Sequence, residues 1–134
     1  MIQLLFVFSD FGFLALRLAL GAILLAHGIP KLKDMGKTTE GFASMGFKPA
    51  RFWAMLAGIA EVVCGLLFVL GLFTQIAAFV IAVQFIVILV KVRRFKKFTG
   101  GYEFDLLILA GALVLLTVGS GAFGLDGFFN IILH

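Results

Sequence analysis

The sequence predicts an all-α fold: a polytopic membrane protein built as an up-down bundle of four transmembrane helices, with a short C-terminal interfacial segment. Three observations carry that expectation. First, 63% of the 134 residues are hydrophobic and only 13% are charged, against ~45–50% and ~25% in soluble domains; mean hydropathy is +1.19. Second, four stretches approach the ~20 apolar residues that a helix needs to cross ~30 Å of hydrocarbon. Third, ten of the eleven Lys and Arg residues flank just two of the three connections between those stretches. A chain of this length holds one domain, residues 1–134.

The first helix is expected at about residues 11–29, where the apolar run meets Pro30 and Lys31. The second covers about 52–73, and the tight "GLFTQ" connection leads into a third at about 76–92. The fourth occupies about 102–118 and fades into "VGSGAFG". The closing "LDGFFNIILH" is too short to span and reads as the interfacial segment. At the other end, "MIQLLFVFSDFG" lacks a basic leader region and a small-residue cleavage site, so it is expected to be retained. Seventeen Phe beside one Trp and one Tyr suit a lipid-facing surface, with little sign of an aromatic belt.

The cations set the expected orientation. Lys31, Lys33, Lys37, Lys48 and Arg51 flank the first connection; Lys91, Arg93, Arg94, Lys96 and Lys97 crowd the third. The second connection and both termini have none. Positive-inside bias therefore puts connections one and three in the cytoplasm and both termini outside, in a cell inner membrane. The same placement reads "KVRRFKK" as a stop signal and anionic-lipid contact rather than a nucleic-acid site.

Polar groups within the apolar helices are the candidate site. Counted at ~1.5 Å of rise per residue, Arg17, Glu61 and Gln84 fall in a middle layer, while His27, Glu103 and Asp105 fall in an inner, cytoplasmic one. At ~100° per residue, Arg17, Gly21 and Gly28 share a narrow face of the first helix. Ala54, Ala57, Gly58, Glu61 and Gly65 share one on the second. Small residues mark close helix packing in membranes, so these charges point at neighbouring helices rather than lipid. An unpaired charge at the bilayer centre costs at least ~2.5–3.5 kcal/mol. The expected solution is an Arg17–Glu61 ion pair with Gln84 as a third partner. That pair serves equally well as a structural clamp. On the fourth helix Glu103 and Asp105 face nearly opposite sides, and the wheel leaves open which one turns inward. His27 is the best single candidate for proton chemistry, because its reference pKa of ~6.5 suits exchange near neutrality.

These residues also carry a resemblance. "RLALGAILLAHGIPKL", "AGIAEVVCGLLFVLGLFTQIAA" and "GGYEFDLLILAGALVLLTVGSGAFGLD" occur in the order and spacing of the DoxX family of small four-helix membrane proteins, which this chain resembles over most of its length. The resemblance places Arg17, His27, Gly28, Lys31, Glu61, Gly65, Glu103 and Asp126 at the family's signature positions. That family includes the small membrane subunit of an archaeal thiosulfate:quinone oxidoreductase. Other members are linked to redox-stress complexes, and many have no assigned activity.

The leading functional expectation is therefore an integral membrane component of a quinone-linked redox system, its electrons coming from a partner protein. Cys64 stands alone, which excludes a two-cysteine redox centre. His27 and the terminal His134 lie on opposite sides of the membrane in the expected topology, which argues against bis-histidine haem within one copy. No metal site is assigned. A structural or assembly subunit without its own catalysis is the alternative, and a small transporter, which would need a homo-oligomer, is a weaker one.

Overall fold

The computed structural model of the chain describes residues 8–93, 99 and 102–119. Every regular element among them is helical. Helix α1 spans Ser9–Lys33, with Asp10 in its first turn and Lys31 and Lys33 in its last, a charge order that complements the helix dipole. The helix does not end at Pro30, where the sequence placed its stop. Pro30 lies inside α1, and its carbonyl accepts from the Asp34 N–H at 3.1 Å. The extra turn matters because it carries Lys31 in helical register.

A short helix that the hydropathy pattern does not reveal follows at once. Helix α2 spans Met35–Ser44. Asp34 joins the two, ending α1 and capping α2 by accepting from the Lys37 N–H at 3.1 Å, which satisfies one of the orphan donors of the new helix. Thr38 Oγ1 donates back to the Lys31 carbonyl at 3.0 Å and fastens α2 to the end of α1. Helix α3, Ala50–Leu70, then crosses back. It ends at Gly71, whose φ of 69° is open to glycine without a Cβ penalty. The Gly71 N–H donates to the Phe68 carbonyl and the Leu72 N–H to the Leu67 carbonyl, at 3.2 and 3.0 Å, the paired bonds of a Schellman ending. After so short a connection α4 must run antiparallel to α3. It spans Thr74–Val87 and continues as a π-helical stretch, Ile88–Arg93. Helix α5 covers Glu103–Val118.

Among the described residues three helices, Ser9–Lys33, Ala50–Leu70 and Thr74–Val92, are long and apolar enough to cross a membrane. The 16 described residues of α5 fall short of the ~20 that a span needs. The expected interfacial segment lies outside the described residues, as do Asp126, His134 and the Arg94, Lys96 and Lys97 part of the basic run.

Two close pairings build the molecule, α1 on α3 and α4 on α5, with α2 lying against α3. The α1–α3 seam is a backbone contact. A Cβ on Gly21 would meet the Gly65 carbonyl oxygen at 2.8 Å, and one on Gly28 would meet the Val62 nitrogen at 3.0 Å. Between the pairings sits an apolar core of Leu20, Leu24, Phe68, Ile81, Ile108 and Leu115. Cys64 is buried in the same core, consistent with a packing role.

Candidate functional site

Glu61 is the centre of the site. It sits on α3 at 1% exposure, surrounded by helix on a face made of Ala54, Gly58 and Gly65. Its Oε1 accepts from Lys31 Nζ at 2.6 Å and from Gln84 Nε2 at 2.8 Å. Three helices thus meet at one carboxylate oxygen: α1 through Lys31, α3 through Glu61 and α4 through Gln84. The expected ion partner, Arg17, is elsewhere, and the pairing drawn from the sequence is corrected. The reason is axial offset. Gly21 faces Gly65 and Val69, while Gly28 faces Glu61 and Val62, so α1 runs antiparallel to α3 with Gly28 level with Glu61. Arg17 precedes Gly28 by three turns of helix, a rise of about 16 Å. It is 2% exposed and has partners of its own.

The two expected layers are corrected in the same way. Glu61 and Gln84 do not lie with Arg17; they share a single cavity with His27, Lys31 and Asp105. The cavity holds about 510 Å³, within the ~300–1,000 Å³ range typical of small-molecule pockets. Its walls are apolar, from Leu24, Phe85, Ile88 and Ile108, and an aromatic group of Phe42, Phe47 and Trp53 stands along one side. The Phe47 ring centre lies 5.3 Å from that of Phe42 and 6.4 Å from that of Trp53, both in tilted contacts. Lys91 Nζ, from the π-helical end of α4, sits 4.6 Å from the centre of the Phe47 ring, a cation–π contact that links the far end of α4 to the segment between α2 and α3.

Helix α5 resolves the question that the helical wheel left open. Asp105 is 7% exposed and lines the cavity, whereas Glu103 is exposed and does not. His27 lines the cavity too, with its ring 5.6 Å from that of Phe104.

Lys31 is the functional residue whose role the sequence reading missed. Counted as a cytoplasmic flanking charge, it instead reaches inward to the carboxylate, with only 29% of its side chain exposed. A signal was present. Arg17, Gly21, Leu24, Gly28 and Lys31 follow one another at steps of four, three, four and three, one continuous stripe on a helix. Extending the stripe past Pro30 would have placed Lys31 on the face that meets α3.

The arrangement offers an aromatic-walled slot with a cation, a carboxylate, an amide, an imidazole and a second acid around it. Glu61 Oε2 is buried and meets no hydrogen-bond donor among the described residues. No group of three or more His, Cys, Asp or Glu among the described residues could hold a metal ion. The chemistry within reach is recognition of a planar, weakly polar head and movement of a proton at its oxygen atoms.

The DoxX family model matches residues 12–94, a span that takes in His27, Lys31, Glu61 and Gln84 and stops before Asp105. A Bacillus subtilis protein named "Putative oxidoreductase CatD" is 33% identical over 119 residues, covering 89% of this chain and 87% of that protein. An uncharacterized membrane protein of Mycobacterium tuberculosis is 33% identical over 127 residues, covering 84% of this chain and 78% of its own length. No solved structure matches the chain.

Proposed function

The chain belongs to the DoxX family of membrane proteins, and from that membership we propose that it is the quinone-binding membrane component of a redox system. In this reading α5 completes a fourth span of an up-down bundle in a cell inner membrane. Both termini lie outside, and the Lys31 end of the bundle faces the cytoplasm, following the positive-inside bias. Electrons pass between the bound quinone and a partner protein on that side.

One observation carries the proposal: a 510 Å³ cavity with aromatic and aliphatic walls that places Lys31, Glu61, Gln84, His27 and Asp105 around one apolar space. A quinone head is flat and apolar across its ring and needs hydrogen-bonding partners only at its two oxygens. Pockets of this build, mostly apolar with a few convergent polar groups, suit such ligands. The relative named as an oxidoreductase supports the redox class and says nothing of the substrate. In the proposed mechanism His27 and Asp105 exchange protons with the head when its redox state changes, and the Lys31–Glu61 pair holds the site's shape.

Trp53 makes the test direct, since it lines the cavity and is the single tryptophan of the chain. Menadione added to the protein in nanodiscs is expected to quench Trp53 emission saturably, and His27→Ala is expected to weaken that binding about tenfold. Quenching no greater than that of a free tryptophan analogue in the same lipid would sink the proposal.

A second reading, an assembly subunit without catalysis, is favoured by the α1–α3 seam, where glycines and the Lys31–Glu61 pair clamp two helices along their length. Its mark would be different: His27→Ala indistinguishable from wild type in any redox readout, with loss of accumulation confined to Glu61 and seam variants.

A further inference from the structure

We propose that the cavity selects ligands bearing a phenolic hydroxyl, which donates to the Glu61 carboxylate, over carbonyl-only or ether analogues of the same shape. The inference rests on the reading that the cavity takes a quinone-like head, and it specifies which redox form is held. Both protein donors act on the same oxygen: Lys31 Nζ and Gln84 Nε2 reach Oε1 at 2.6 and 2.8 Å. Oε2 is out of solvent and meets no donor among the described residues. A buried acceptor left without a donor is strongly unfavourable, and native sites rarely leave one uncovered.

The orphaned oxygen belongs to a residue of the cavity wall. The last torsion of a glutamate is soft, so the carboxylate can turn to bring Oε2 to a ligand while the flexible Lys31 side chain follows Oε1. An ammonium and an amide already donate to Oε1. What Oε2 lacks is a hydrogen-bond donor. A quinone carbonyl offers only lone pairs and would set acceptor against acceptor. A hydroquinone or simple phenol offers an O–H, and its ring still fills the space between Leu24, Phe85 and Ile108. The protein therefore holds the reduced, hydroxylated form of its ligand more tightly than the oxidised form.

The test compares α-naphthol, its methyl ether and menadione, each partitioned between protein-loaded and empty nanodiscs. Naphthol is expected to bind at least tenfold more tightly than its ether, the scale of one hydrogen bond to a charged acceptor. Glu61→Gln is expected to shrink that gap to within threefold. Equal binding of naphthol and ether, with menadione bound, would overturn the hydroxyl preference and leave the quinone reading standing. Failure of all three to bind would remove both. A naphthol preference that persists in Glu61→Gln would overturn the assignment to Glu61. If that variant does not accumulate, the wild-type protein still decides. With glutamate isotopically labelled, naphthol and not the ether must shift a carboxylate infrared band, and no shift overturns the proposal.

Discussion

The two sides of α3 solve opposite problems. Towards α1 it presents Gly58 and Gly65, and the backbones close so far that an added Cβ on Gly65 would lie 3.0 Å from the Gly21 carbonyl oxygen. Towards α4 and α5 it presents Ala57, Ala60 and Glu61, and there the helices stand apart around 510 Å³ of space. Glu61 belongs to both. Its Cβ packs against Gly28, where an added Cβ would come within 2.9 Å of it, while its carboxylate is held on the cavity side by Lys31 and Gln84. Small residues without polar atoms make a seam, since in lipid close packing is the main attraction between helices. Polar residues need partners and geometry, and space remains where their side chains converge. A rigid seam beside an open slot is a sound way to hold a charged group steady next to a ligand.

The largest expected effect breaks the point where the two regions meet. Lys31→Met leaves a buried carboxylate without its cation and is expected to cost about 3 kcal/mol, read as thermal unfolding in detergent. Adding Glu61→Gln should recover more than half of that loss. An additive double variant would show that the 2.6 Å pair contributes nothing beyond packing.

A smaller effect separates hard from soft places in the seam. Gly21→Leu drives a side chain against the Gly65 carbonyl and Val69 and is expected to cost about 1–3 kcal/mol or more. Gly58→Ala meets the Leu32 side-chain tip at 2.7 Å, and that flexible end can shift, so its cost should stay below about 1 kcal/mol. The reverse order in a melting series would mean that backbone contact is not what holds α1 to α3. The smallest effect has the opposite sign. Gly12 lies in α1 with no heavy atom within 4 Å of an added Cβ. Gly12→Ala should therefore raise stability by roughly 0.5–1 kcal/mol through helix propensity alone.

Much of the site was legible before any fold was known. The glycines at 21, 28 and 65 marked the seam because small residues repeated at helical spacing have few other uses in an apolar helix. Glu61 and Gln84 stood out as polar groups inside otherwise apolar runs, and both lie in the cavity. Other features were not legible, for particular reasons. Lys31 looked like a flanking charge because Pro30 suggested a helix end, and α1 in fact continues to Lys33. Glu103 and Asp105 were equivalent on a wheel because both neighbours of the helix were unknown. The wall supplied by Phe42 and Phe47 comes from α2 and the segment after it, which carry no hydropathy signal.

Composition and periodicity alone establish that the chain is a membrane protein of apolar helices, which face of each helix carries small or polar residues, and that a buried acid sits on the second of the long helices. Periodicity records rotation about an axis, and these properties follow from rotation. It does not record how far one helix slides along its neighbour. Only the tertiary structure set that offset, level with Gly28 rather than Arg17, and so decided that Lys31 pairs with Glu61. The same packing turned Asp105 inward and left room for a ligand beside the pair.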